Sequence, residues 1–129
     1  MSVVCEGVIN NFPVLIIKHE KMGHLCGYIA VPEGHPCYRK HYDQEPALSL
    51  SVHGGITYSE GHPPMKEGDK QWWWLGFDCA HSGDLVPGYY FRNSEDVYRD
   101  ETYVMEQLRE MSVQLAPEEF MRLVHKEKK

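Results

Sequence analysis

Apolar positions fall into blocks whose periods predict the elements. Phe12 to Lys18 is dense in apolar and β-branched residues, with Pro13 near its start, and residues 25–31 form a second such run. Both read as strands. The polar stretch Glu20-Lys21-Met22-Gly23 between them predicts a hairpin, and Pro32, Gly34 and Pro36 stop the second strand. Leu48, Leu50 and Val52 alternate with Ser49, Ser51 and His53, which predicts a half-buried strand over residues 48–57. Gly54-Gly55 interrupts it, as glycine does at a bulge or where something approaches the backbone closely. Residues 60–70 read as a surface loop, and residues 71–77 as an aromatic strand in which Trp72 and Trp74 share one face and Trp73 takes the other. From Asp100, Val104, Leu108, Met111 and Leu115 recur at steps of four, three and four, the spacing of a helix that Asp100 and Glu101 would cap. Pro117 either ends this helix or opens a short second one carrying Phe120, Leu123 and Val124, with residues 125–129 as a frayed tail. The prediction is an α+β domain over residues 1–129: an antiparallel sheet of about four to five strands, one main C-terminal helix and the optional short second helix.

Composition narrows the function classes. At 129 residues, 42% apolar and 25% charged, the chain can bury a core of its own. Lys plus Arg is 13 and Asp plus Glu is 19, so the net charge is −6. That argues against a nucleic-acid partner, since phosphate backbones demand a positive surface. The longest aliphatic run, Val14-Leu15-Ile16-Ile17, is far short of a bilayer span, and Met1-Ser2-Val3-Val4-Cys5-Glu6 lacks a basic region followed by a long apolar stretch. Cys5, Cys26, Cys37 and Cys79 form no Cys-x-x-Cys pair. The expectation is reduced thiols in the cytoplasm, with no membrane partner.

Candidate chemistry lies in three stretches: residues 31–36 with Tyr38 and Tyr42 after them, residues 52–58, and residues 74–84. Their ends would bring His35, His53, Asp78, His81 and Asp84 to one sheet edge. His53, Asp78, His81 and Asp84 suit a divalent ion such as zinc, although no standard zinc spacing is present. The Gly54-Gly55 amides could face an anion. Cys79 with a histidine has the residue types of a thiol nucleophile, and a buried inert cysteine is the plain alternative. Tyr38, Trp73 or Trp74 would offer a stacking platform unless each is core. No phosphate-binding or dinucleotide glycine motif occurs.

Gly27-Tyr28-Ile29-Ala30-Val31-Pro32-Glu33-Gly34-His35-Pro36, His53-Gly54-Gly55-Ile56-Thr57-Tyr58 and the run from Trp73 to Asp84 resemble a family of small phage and prophage proteins without an assigned activity. The resemblance implies a phage-type accessory protein in a bacterial cytoplasm, of the kind that counters host defence.

Three functions follow as expectations. The first is a sponge for a small anionic, nucleotide-derived signal. Its ligand would meet His35, Tyr38, His53, Gly54, Gly55, Tyr58, Trp73, Trp74, Asp78 and His81, with Arg39, Lys40 and Arg92 supplying positive charge. Such a binder is expected to be a homo-oligomer, with the helix over residues 100–115 as contact face. The second is a hydrolase with a divalent metal on His53, Asp78, His81 and Asp84, and with Glu33, His35 or Cys79 as catalytic group. The third is a protein inhibitor of a host enzyme.

Overall fold

The computed structural model describes residues 1–68 and 71–116. Five strands form one sheet: β1 (Ser2–Ile9), β2 (Phe12–Lys18), β3 (Leu25–Pro32), β4 (Tyr58–Glu60) and β5 (Trp72–Asp78). Their order is β1-β2-β3-β5-β4, and every neighbouring pair is antiparallel. The helix α1 (Glu101–Leu115) packs over β1, β2 and β3 on one face. This is the α+β sheet-and-helix class that the periodicity predicts. Pro117, Phe120, Leu123, Val124 and the tail over residues 125–129 lie outside the described residues.

The helix begins where its capping residue dictates. The Asp100 side chain accepts the Tyr103 N–H at 2.9 Å, satisfying one donor of the first turn. Val104, Leu108, Met111 and Leu115 are fully buried, so the apolar stripe faces the sheet rather than a second molecule. The β1–β2 hairpin turns at Asn10-Asn11, both left-handed, at φ 49° and 70°. Such a turn matches the twist of the strands it joins, and Asn is among the few side chains that tolerate it. Asn10 then donates to Ser112 Oγ at 2.9 Å, tying the hairpin to α1.

At the centre of the sheet, two glycines face two aromatic rings. In the β3–β5 register Gly27 stands opposite Phe77, and Tyr28 opposite Gly76. A Cβ on Gly27 would lie 2.7 Å from the Phe77 ring, and one on Gly76 would lie 2.4 Å from the Tyr28 ring. Each ring therefore lies flat over the neighbouring strand, Phe77 under α1 and Tyr28 on the opposite face. The Tyr28 ring meets Tyr58 edge-on at 5.1 Å. Leu15, Ile17 and Cys26 are buried beside it, with Tyr58 and Trp74 against them. Residues 61–68 cross this second face. The Tyr58 hydroxyl donates to the His62 carbonyl at one edge strand, and Lys66 pairs with Glu6 on the other.

The expected strand over residues 48–57 does not form. Residues Ala47–Ser49 make a 3-10 turn, and the chain beyond it runs beside α1 instead of joining the sheet. Its backbone partners come from helix side chains. Gln114 accepts the Ser51 N–H and donates to the Ser51 carbonyl, both at 2.7 Å, and Gln107 accepts the His53 N–H at 2.8 Å. Gln107 and Gln114 are two helical turns apart and share a face. The alternation is real, with Leu50 buried in the main core, but amide side chains replace the ladder that a strand would need.

Gly27→Ala should therefore lose about 1–3 kcal/mol of stability through overpacking against Phe77 and Val104. Gly7→Ala, whose Cβ would meet nothing nearer than 3.9 Å, is the control. Urea denaturation of the two variants decides it, and equal midpoints would show that the ring contact does not constrain the core.

Candidate functional site

β5 ends at Asp78, and the chain turns at once. The Asp78 carboxylate accepts the Ala80 N–H at 3.1 Å and the Thr57 hydroxyl at 3.0 Å. Asp84 closes the turn: its Oδ2 accepts the His81 N–H at 2.9 Å, while its own N–H donates to the His81 carbonyl at 2.9 Å. A short parallel bridge from Asp84 to Val97 brings Arg99 alongside.

The Asp84 side chain has no solvent exposure. A buried carboxylate survives as an anion only when donors replace water. Arg99 Nε donates to Oδ1 at 2.9 Å, and His53 Nε2 donates to Oδ2 at 2.8 Å. Burial by itself would raise the pKa of this carboxyl; the bonds from His53, Arg99 and the His81 N–H outweigh burial and hold it below the ordinary value. His53 Nδ1 then accepts from the Tyr103 hydroxyl at 2.7 Å, and the Arg99 guanidinium lies 4.9 Å from the centre of the Tyr103 ring. Asp84, His53, Tyr103 and Arg99 thus form a closed circuit on α1 and the two loops before it.

His81 stands beside this circuit. Its Nδ1 lies 3.1 Å from the Asp78 carbonyl oxygen and 3.3 Å from the Asp78 carboxylate, which assigns the proton to Nδ1 and the lone pair to Nε2 in the neutral ring. Nε2 has no hydrogen-bond partner among the described residues. The ring lies against Gly54, where a Cβ would come within 2.4 Å of it, so Gly54 is required for that contact as well as for its φ of 69°. One ligand atom each from His53, His81 and Asp84 lie within 4.8 Å of one another. A cavity of about 360 Å³ opens beside them, with His81, Asp84, His24, Tyr89, Phe91 and Asp96 in its wall.

The three sequence stretches do not all meet. The second and third converge through His53, Thr57, Asp78, His81 and Asp84. The first does not, because β3 and β5 are antiparallel: Pro32 pairs with Trp72, and Cys26 with Asp78. Glu33 and His35, which follow β3, lie at the Trp72 end, about 20 Å from Asp78 at ~3.3 Å per residue. Glu33 is exposed there. His35 is a structural residue, its Nδ1 accepting the Cys37 N–H at 3.0 Å and its Nε2 donating to the Leu115 carbonyl at 2.7 Å. Cys79 is a core residue under α1, and burial pushes its thiol up to about 12, so it is no nucleophile. Tyr58 and Trp74 belong to the second core cluster. The Gly55 N–H is taken by the Val52 carbonyl at 2.9 Å, which removes it as an anion donor. Asp78 orients His81 from outside the three-residue donor group. Tyr38 and Trp73 line a different cavity at the Trp72 end.

Arg99 and Tyr103, both missing from the sequence-based set, complete the circuit. All four cysteines are free thiols. Among the described residues, no helix is long and apolar enough to cross a membrane. No family model matches the chain, and no curated protein or solved structure does either.

Asp84→Ala should cost about 3–5 kcal/mol at pH 7, because it strands Arg99 and His53. Folding lowers this carboxyl's pKa, so its contribution is complete above the unfolded value of about 3.9 and is lost as pH falls through the folded value. Urea unfolding between pH 7 and pH 3 should show the gap to the native protein narrowing below about pH 4. A gap that stays constant would mean that the ionised carboxylate is not what stabilises the site.

Proposed function

We propose that the protein binds a small anionic, nucleotide-derived molecule at the His53–His81–Asp84 cluster, through a divalent cation of the zinc class held by those three side chains. The observation that carries this reading is the grouping of three donor atoms within 4.8 Å, two of whose residues, His81 and Asp84, line a 360 Å³ cavity. Two imidazole nitrogens and one carboxylate oxygen are the usual donors for such an ion, and three protein donors leave a coordination position for a ligand. Each donor also has a supporting partner: Tyr103 for His53, Asp78 for His81 and Arg99 for Asp84. Partners of that kind orient metal ligands and fix their tautomers. The cation would take the place of the proton shared by His53 Nε2 and Asp84 Oδ2, and the His53 ring would then donate from Nδ1 to Tyr103.

The charge balance favours a cation. Asp84 and Asp96 both line the cavity, and the chain carries a net charge of −6, so an anion needs a local positive centre. The Tyr89 and Phe91 rings, 53% and 76% exposed, give the uncharged part of the ligand a surface to lie on. In this reading the protein acts as a phage-type accessory that withholds a signal from its host.

Hydrolysis is a second reading, favoured by one observation. The three donors beside the cavity would leave a coordination position open for water. A bound divalent ion would supply a water of lowered pKa.

Metal analysis of protein purified without added metal should find a divalent ion in stoichiometric amount, lost in His81→Ala. Cyclic and linear nucleotides incubated with the metal-loaded protein and recovered after heat denaturation separate the readings: unchanged ligand supports binding, altered ligand supports hydrolysis. A protein that holds no metal, and whose melting temperature no nucleotide raises, would sink both.

A further inference from the structure

The second cavity, at the opposite end of β5, has a different chemistry. It measures about 470 Å³ and is lined by Tyr38, Arg39, His41, Gly61, Gly68, Trp72 and Trp73. We infer that it is a binding site for a planar aromatic ring carrying an anionic group, of the nucleoside monophosphate class. The inference does not rest on the cation-dependent reading of the Asp84 cluster.

Four observations carry it. First, none of the described lining residues is acidic, although the chain has 19 carboxylate side chains against 13 Lys and Arg. Arg39 is the charged side chain among the described lining residues. Second, the Tyr38, His41 and Trp73 rings are held in place. The Trp73 indole N–H donates to the Lys40 carbonyl at 2.9 Å, and the Tyr38 and His41 rings approach Trp73 edge-on, at 6.5 Å and 6.1 Å. A fixed ring offers stacking surface without an ordering cost on binding.

Third, Arg39 has a left-handed backbone, φ 60°, uncommon for a residue with a side chain and frequent at ligand-contacting turns. Its guanidinium carbon lies 5.9 Å from the centre of the Tyr38 ring, and it forms no ion pair with a described carboxylate. A guanidinium beside an aromatic ring, with no carboxylate partner among the described residues, suits a phosphate attached to a stacked base. Fourth, one wall is bare backbone. A Cβ on Gly68 would lie 2.3 Å from the Gly61 carbonyl oxygen, so position 68 has no room for a side chain, and with Gly61 it leaves that wall low enough for a flat ring. The volume falls in the range of small-ligand pockets.

Quenching of tryptophan fluorescence by AMP, GMP, CMP and UMP tests the site on the intact chain. At least one should quench saturably, with its nucleoside and inorganic phosphate each binding at least tenfold more weakly. Arg39→Gln should weaken that nucleotide tenfold or more, and Trp72→Leu should do likewise in a thermal-shift titration. In protein stripped of divalent metal with EDTA, where the Asp84 cluster binds no nucleotide, His81→Ala, at the other end of the sheet, should leave both titrations unchanged. Failure of all four nucleotides to quench would overturn the proposal. So would an unchanged affinity in Arg39→Gln, or an affinity lost in His81→Ala and kept in Arg39→Gln, which would place the binding at the Asp84 cluster instead.

Discussion

A carboxylate with no access to water sets the terms for the loop end of this molecule. Asp84 must replace its hydration with protein donors, and the donors come from three separate segments: the His53 ring, the His81 backbone and the Arg99 side chain. Residues 50–57, 79–84 and 97–103 are irregular or only begin a helix, and beyond the single Asp84–Val97 bridge and the Gln107 and Gln114 amides little backbone pairing holds them there. The unsolvated charge joins all three. Removing any one donor leaves the others facing a less well compensated anion, so the segments are coupled more tightly than their lack of regular structure suggests. The chemistry at the cavity and the integrity of the loops rest on the same atoms.

The sheet beneath is the rigid part. Its central β3–β5 pair puts a glycine opposite an aromatic ring twice, once on each face, and both cores begin from those rings. The ladder also separates the molecule's two polar regions. β5 starts between the rings of one cavity and ends at the imidazoles of the other, so its length sets the distance between them.

Much of this fold was legible in the residue pattern. β2, β3, β5 and α1 follow from runs and periods that have one structural solution, and Asp100 marks the helix start by its chemistry. The strand expected over residues 48–57 shows where a period misleads: an extended segment alternates in the same way whether its backbone pairs with a strand or with the amides of Gln107 and Gln114. β1 was not delimited, because most of it is exposed, although Asn10-Asn11 is a readable turn signal. At the site, the pairing of His53 with the Asp78–Asp84 turn was anticipated. The inclusion of His35 was not correct, since stretches of similar composition carry no information about which end of a strand they follow; only the antiparallel β3–β5 register decides that. Arg99 and Tyr103 were invisible because they flank a helix start at no diagnostic spacing, and their role exists only once Asp84 is buried beside them.

The helix acts as a caliper between the two regions. Near its first turns Tyr103 and Gln107 grip the His53 ring and backbone, and at its last residue the Leu115 carbonyl is gripped by His35, whose own carbonyl holds the turn bearing Tyr38. Fifteen helical residues make a rod of about 22 Å. Pinned at both jaws, it can neither slide nor rotate without releasing one of them. A metabolite of nucleotide size is shorter than that gap, so no single such molecule touches both stations at once.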